Sequence, residues 1–292
     1  MIGGDPSASV RFAAPTEVFG RIAEASRVAL SAYTLEPHGE MVRALDAAAD
    51  RGAGVAVTLE GFAGRTDARD LRRVALENAR DLRAHGVRVR LGSPGGGEVH
   101  LKAAVVDGMA FLDDRNWATR GETIVATMRP DDVAAIGDAI AGRPRNAGGL
   151  ATDKHSALEL EAEAIRRAGD HVDLETESFG PGIVETALRE RATAGAHVRL
   201  LVNDRIAAER RARGERALLR ELARAGVEVR VSPASEKLCV AGDRGWVGSA
   251  NATFAGEPMT DWGLVIDDPS LVDTLATTFD RNWNAARPMG TS

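Results

Sequence analysis

The feature that most constrains this chain is that one supersecondary unit is written in it twice. Residues 28–33 (VALSAY), a helical stretch at 39–50, the turn Arg51-Gly52-Ala53-Gly54 and the alternating run Val55-Ala56-Val57-Thr58-Leu59 read as β-α-β. Residues 172–176, the stretch 182–193, the turn Ala194-Gly195-Ala196-His197 and the run Val198-Arg199-Leu200-Leu201-Val202 read the same way. Each copy continues with a charged helix, at 66–84 and 206–225, closed by Gly86 and Gly226 where a left-handed residue past the last turn is expected. Short strands of alternating charge follow, Val87-Arg88-Val89-Arg90 and Val227-Glu228-Val229-Arg230. Each copy then closes with a strand (123–128 and 262–266) and a helix opened by Pro130 or Pro269. Residues 143–151 (RPRNAGGLA) read as the linker. The expectation is an α/β protein of two tandem α-β-α sandwich halves, residues 1–145 and 146–292, related by a pseudo-twofold axis on which a shared site would lie.

Composition narrows the function classes. Thirty-seven Lys plus Arg against 43 Asp plus Glu, a net charge of −6, gives no global attraction for a polyphosphate or an anionic bilayer, so nucleic acid would require a local basic groove. The single cysteine, Cys239, supports neither an intramolecular disulfide nor a thiolate metal cluster, which points to a reducing compartment. The chain opens without a basic region followed by an apolar run, and no apolar run reaches the ~18 residues of a membrane span. The expected location is cytoplasmic.

The sharpest local signal is Val99-His100-Leu101-Lys102-Ala103-Ala104-Val105-Val106-Asp107-Gly108, followed by Asn116. On a strand His100 and Lys102 share a face, which sets a nucleophile or proton carrier beside a fixed positive charge. The second copy reads Ser235-Glu236-Lys237-Leu238-Cys239-Val240-Ala241-Gly242-Asp243, then Gly248-Ser249-Ala250-Asn251. Asn116 follows Lys102 by 14 positions and Asn251 follows Lys237 by the same 14, while the loop from Gly92 to Glu98 is longer in the first copy.

The His-x-Lys-x4-Asp pattern with a downstream Asn, together with Gly-Ser-x-Asn in the second copy, resembles the HKD motif of the phospholipase D superfamily, and the resemblance covers both halves. It implies a phospholipase D-like fold and a covalent phosphohistidine at His100. It implies further that Lys102, Lys237, Asn116 and Asn251 hold nonbridging phosphate oxygens, with Ser249 as an added hydroxyl donor. Preorganised donors of that kind stabilise a developing phosphorane without a metal, so no cofactor or metal is expected. Glu122 and Asp261 fall where the family carries a carboxylate that orients a catalytic imidazole; the other reading is a solvated strand end.

The chain also departs from that pattern. Ser235 stands where the family has its second histidine, and a hydroxyl does not titrate near neutrality. For a poor leaving group the loss of a general acid costs about 10²–10⁴ in rate. Three readings of Ser235 are open: an impaired member of the family, altered chemistry with a replacement acid such as His155, or a deliberate replacement of a catalytic histidine. Asp113-Asp114-Arg115-Asn116 replaces Gly-Ser-x-Asn in the first copy. Asp114 would oppose an anion unless it turns away or pairs with Arg115, or it would select a substrate with a cationic group.

At the ends of the first strands, Tyr33 and Thr34 are matched with Ser178 and Phe179. Tyr33, Glu175, Glu177 and Ser178 are candidate pocket residues there, with simple packing as the alternative. Trp117 is placed to line a mouth, whereas Trp246, Trp262 and Trp283 read as core. Together these readings describe a monomeric phosphodiesterase or phosphotransferase for a small phosphodiester or phospholipid headgroup. A nuclease and a ligand-binding pseudoenzyme are the alternatives.

Overall fold

In the computed structural model, which describes residues 10–63, 68–93, 97–117, 123–208, 212–233, 236–254 and 258–289, the duplicated sequence becomes two sheets. The chain divides into two units, 1–154 with 257–262, and 155–256 with 263–292.

The first unit runs β1 (Val10–Ala13), α1 (Pro15–Glu24), β2 (Arg27–Ala32), α2 (Glu40–Asp50), β3 (Gly54–Leu59), α3 (Arg69–Ala84), β4 (Arg88–Leu91), β5 (Glu98–Val99), β6 (Ala103–Val106), β7 (Met109–Asp113), β8 (Ile124–Thr127), α4 (Pro130–Ile140) and β9 (Leu150–Asp153). Its sheet order is β1-β8-β7-β6-β2-β3-β4, parallel across β2-β3-β4 and antiparallel elsewhere. Alternation sends Val28 and Leu30 of β2 and Val55 and Val57 of β3 to one face. There they meet the buried stripes of the amphipathic helices, Val18 and Ile22 of α1 and Met41 and Leu45 of α2. Each such side chain stabilises the fold by roughly 1.5–3 kcal/mol through burial.

The second unit follows as α5 (Lys154–Arg167), β10 (His171–Thr176), α6 (Ile183–Thr193), β11 (His197–Asn203), α7 (Arg205–Ala208), α8 (Arg213–Arg224), β12 (Glu228–Ser232), β13 (Leu238–Ala241), β14 (Arg244–Gly248), β15 (Met259–Ile266), α9 (Pro269–Ala285) and β16 (Arg287–Pro288). Six of its strands, in the order β12-β11-β10-β13-β14-β15, repeat β4-β3-β2-β6-β7-β8 of the first unit, and β16 is added beyond β12. β15 is split: Met259 and Thr260 pair with Glu98 and Val99 of β5, and Gly263–Ile266 pairs with β14. Gly86 and Gly226, at φ +84° and +101°, take the left-handed positions expected after α3 and α8.

Register corrects two sequence expectations. Ala32 pairs with Leu59 and Thr176 pairs with Val202, so Tyr33 matches Glu177 and not Ser178. The sequence match slipped by one because no repeated residue anchors the strand ends. The helix expected at 206–225 is two helices among the described residues. Its buried anchors Ile206 and Ala212 are six apart, out of phase with one helical stripe, and Arg216 Nη1 donates to the Ile206 carbonyl at 2.8 Å to join them. Among the described residues no helix is long and apolar enough to cross a membrane.

Candidate active site

His100 and Lys102 lie between β5 and β6, not on a strand as expected, because the chain there leaves its pairing with β15 and enters its pairing with β2. It stays extended, held from both sides: the His100 amide donates to the Thr260 carbonyl at 3.0 Å and the Asp113 amide donates to the Lys102 carbonyl at 2.9 Å. The alternation therefore survives. Lys102 Nζ sits 2.9 Å from Nδ1 and 2.8 Å from Nε2 of His100, and buried Leu101 points elsewhere.

Asp261 Oδ2 lies 3.0 Å from His100 Nδ1. Asp261 is fully buried on β15, and the His100 side chain keeps 16% exposure, so the ring is braced from inside and open outward. Local devices hold this strand crossing in place. Gly97 has φ +82°, and a Cβ there would come within 2.4 Å of the Pro258 carbonyl oxygen, so only glycine lets β5 approach β15 this closely. Trp262 Nε1 donates to the Asp113 carbonyl at 2.8 Å.

Two charged residues that sequence reading passed over also serve this site. Glu60 follows β3, and its carboxylate accepts from the Val99 and Phe62 amides, both at 2.8 Å, clamping the backbone directly before His100. The signal was a glutamate closing an otherwise apolar strand. Lys154 opens α5 within electrostatic reach of Asp261 and Glu98. Burial pushes its ammonium below the usual lysine range, and those two carboxylates oppose the shift. The Tyr33 ring meets the His100 ring edge-on at 5.0 Å, with Lys102 Nζ 5.5 Å from the Tyr33 ring centre.

The acidic pair of the first motif serves its own turn. Asp113 Oδ2 accepts from the Trp117 amide at 2.6 Å, and Asp114 Oδ1 accepts from the Thr123 amide at 2.9 Å. Asp114 Oδ2 lies 3.8 Å from Arg115 Nε, and both aspartates are fully buried. Of the alternatives open for Asp114, the structure shows the pairing with Arg115, and the Thr123 amide meets its other carboxylate oxygen. The expectation for Trp117 is corrected. Its left-handed backbone turns the ring into the apolar core, 4% exposed, where Nε1 donates to the Ser31 carbonyl at 3.3 Å. Asn116 is half-buried in the same turn, and Glu122 lies outside the described residues.

In the second unit, Lys237 Nζ lies 3.5 Å from Glu177 Oε2, and Arg205 bonds the other oxygen of that carboxylate. Burial alone would push the Glu177 carboxyl up, but Lys237 and Arg205 outweigh it and hold the carboxyl below its ordinary range. Glu175 is fully buried. It accepts from the Glu236 amide at 3.1 Å and from Asn282 Nδ2 at 3.0 Å, so it clamps the motif backbone as Glu60 does in the first unit. Asn251 Oδ1 accepts from the Ser178 amide at 3.3 Å, and Ser249 is buried just after β14. Ser235 lies outside the described residues. His155 is a surface group, 64% exposed beside Glu159.

The duplicated fold and its paired motifs find their match in the family described as cardiolipin synthase, PLD-like domain, which covers residues 19–136 and 162–283. The chain belongs to the phospholipase D superfamily. No curated protein matches it in sequence. Among solved structures it is similar in fold to polyphosphate kinase from Porphyromonas gingivalis, with 17% identity and TM-score 0.66 over 94% of this chain and 50% of that one. It is likewise similar to phosphatidylserine synthase from Haemophilus influenzae Rd KW20, with 12% identity and TM-score 0.66 over 95% of this chain and 86% of that one. The chain thus spans half the length of the kinase.

Proposed function

We propose that the protein is a phosphodiesterase or phosphotransferase that forms a covalent phosphohistidine at His100. The observation that carries this reading is the cluster in which Asp261 holds Nδ1 of an outward-open imidazole with a buried ammonium beside it. The family description and the names of the similar folds, a polyphosphate kinase and a phosphatidylserine synthase, support phosphoryl chemistry.

With its proton on Nδ1 and donated to Asp261, His100 presents the Nε2 lone pair. Lys102 sits on that nitrogen, so a phosphate oxygen must draw the ammonium away before Nε2 attacks. Nε2 then bonds to phosphorus, the P–O bond to the leaving group breaks with its electron pair on oxygen, and Asp261 stabilises the imidazolium. Water or an alcohol next attacks the phosphohistidine, releases its proton to solvent, and returns the P–N electron pair to Nε2. Ser235 supplies no acid for the leaving oxygen, so the substrates served best are small phosphodiesters whose leaving groups depart as stable anions. The overall charge of −6 favours such a compact substrate over duplex nucleic acid.

The test is turnover of a series of diesters, from a nitrophenyl leaving group to a simple alcohol. A steep fall along the series is expected, and Ser235→His should restore about 10²-fold or more for the alcohol. No turnover of any member would leave a ligand-binding protein, not an enzyme.

A further inference from the structure

The face of the first sheet opposite α1 and α2 carries a cavity of about 380 Å³ near the starts of β2, β3 and β4. It lies at the other end of the strands from His100. Register makes its second-unit counterpart unambiguous. The row Val105-Ala29-Ala56-Arg88 crosses the first sheet as Val240-Asp173-Arg199-Glu228 crosses the second, and Arg27-Gly54 corresponds to His171-His197.

In the second unit this place is full. Arg199 bonds Asp173 at 2.6 and 2.7 Å and Asp280 at 2.8 Å, and its guanidinium lies 4.9 Å from the Phe279 ring centre and 5.4 Å from that of Trp283. The helix above is placed by the same arginine in each unit: Arg230 donates to the Trp283 carbonyl and Arg90 to the Ile140 carbonyl. Counting back from that anchor, Ile140 stands for Trp283 and Gly137 for Asp280. Four filling groups, Asp173, Arg199, Asp280 and Trp283, are thus reduced to Ala29, Ala56, Gly137 and Ile140.

The charge is reversed as well. Glu228 of the second unit is Arg88 in the first. Arg27 and Arg88 line the cavity, both are exposed, and neither guanidinium has a side-chain partner among the described residues. The nearby acid, Asp107, is already occupied by the Ser26 and Arg27 amides at 3.0 and 2.8 Å. Strand spacing puts the two arginine Cα atoms about 12 Å apart on a diagonal across a floor that rises no higher than Cβ at Ala29, Gly54 and Ala56.

We propose that this groove binds a small organic dianion with a flat apolar body and an acid group at each end. Its rings would lie over Ala29 and Ala56, where the Asp173 and Arg199 side chains lie in the second unit, and its acid groups would supply the charge of the missing carboxylates. The proposal stands independently of the chemistry at His100.

The test is calorimetric titration with a naphthalene dicarboxylate whose acid groups are at opposite ends, with naphthoate as the monoanionic control. One-to-one binding is expected, at least about tenfold weaker for naphthoate and for the Arg27→Gln/Arg88→Gln variant, whose changes are confined to exposed side chains. Ala29→Asp/Ala56→Arg, which rebuilds the second unit's ion pair, should abolish binding. Lys102→Ala should leave it unchanged. No binding at about 1 mM, equal affinity in the double glutamine variant, or loss of binding in Lys102→Ala would each overturn the proposal.

Discussion

The two halves keep the same lysine and change what surrounds it. Lys102 and Lys237 are each 2% exposed and stand at equivalent points of the two sheets, directly before β6 and directly before β13. Lys102 shares its space with an imidazole and a tyrosine ring, whereas Lys237 faces the Glu177 carboxylate, and register makes Tyr33 and Glu177 the same position. The clamp is conserved between them in kind: Glu60 holds the Val99 amide and Glu175 holds the Glu236 amide. Duplication therefore preserved the scaffold that fixes the motif backbone. What diverged is the chemistry beside the ammonium. On the proposed function, the covalent step belongs to the first half.

The comparison breaks most readily at the histidine. His100→Ala should lower turnover by at least about 10³-fold, since it removes the proposed nucleophile. Asp261→Asn should cost about 10²–10⁴ by removing the acceptor that fixes the imidazole tautomer. Steady-state rates on a nitrophenyl diester, with folding verified by circular dichroism, measure both. Equal losses for Ser235→Ala and His100→Ala would contradict the asymmetry.

The clamps come next. Glu60→Gln and Glu175→Gln should each destabilise the fold by about 1–3 kcal/mol in denaturant titrations, because each puts an amide donor against a group that now donates to the carboxylate: a backbone N–H at Glu60, and the Glu236 N–H or Asn282 Nδ2 at Glu175. Similar values sharpen the claim of a shared scaffold; a cost in only one half breaks it.

A smaller difference concerns a buried acid in the second half. Glu161 on α5 is 1% exposed, and burial pushes its carboxyl well above the ordinary range. Its first-unit counterpart on α1 is the apolar Val18, 143 positions earlier. A raised folded pKa means that the native state holds a proton the unfolded chain has released. Stability should therefore fall as pH rises from about 4.5 toward the folded pKa, by at most about 1.4 kcal/mol per pH unit. Glu161→Gln should remove that slope in melting curves recorded between weakly acidic and alkaline pH; an unchanged slope would place the titrating group elsewhere.

Much of this was legible in the sequence because periodicity and spacing are local. The duplicated β-α-β units, the left-handed Gly86 and Gly226 and the motif pair were all readable, as was Asp261 as a partner for an imidazole. What escaped depended on hydrogen bonds between distant segments. The sequence leaves open whether Asp114 meets an anion or pairs with Arg115, a choice made by Arg115 and the Thr123 amide, and Trp117 reads as a rim although its positive φ turns it inward. Glu175 reads as a pocket acid or a packed one, and the Glu236 amide and Asn282 both donate to it. Charge type alone does not distinguish an acid that meets a ligand from one that holds a backbone.

The central claim, a covalent step confined to the first half, is tested most directly by intact mass of the protein incubated with a nitrophenyl diester and quenched. With the second histidine position occupied by Ser235, the account predicts a phosphoryl adduct that accumulates, maps to His100 by fragmentation, and is absent in His100→Ala. An adduct that persists in His100→Ala, or turnover with no adduct at any time point, would contradict it.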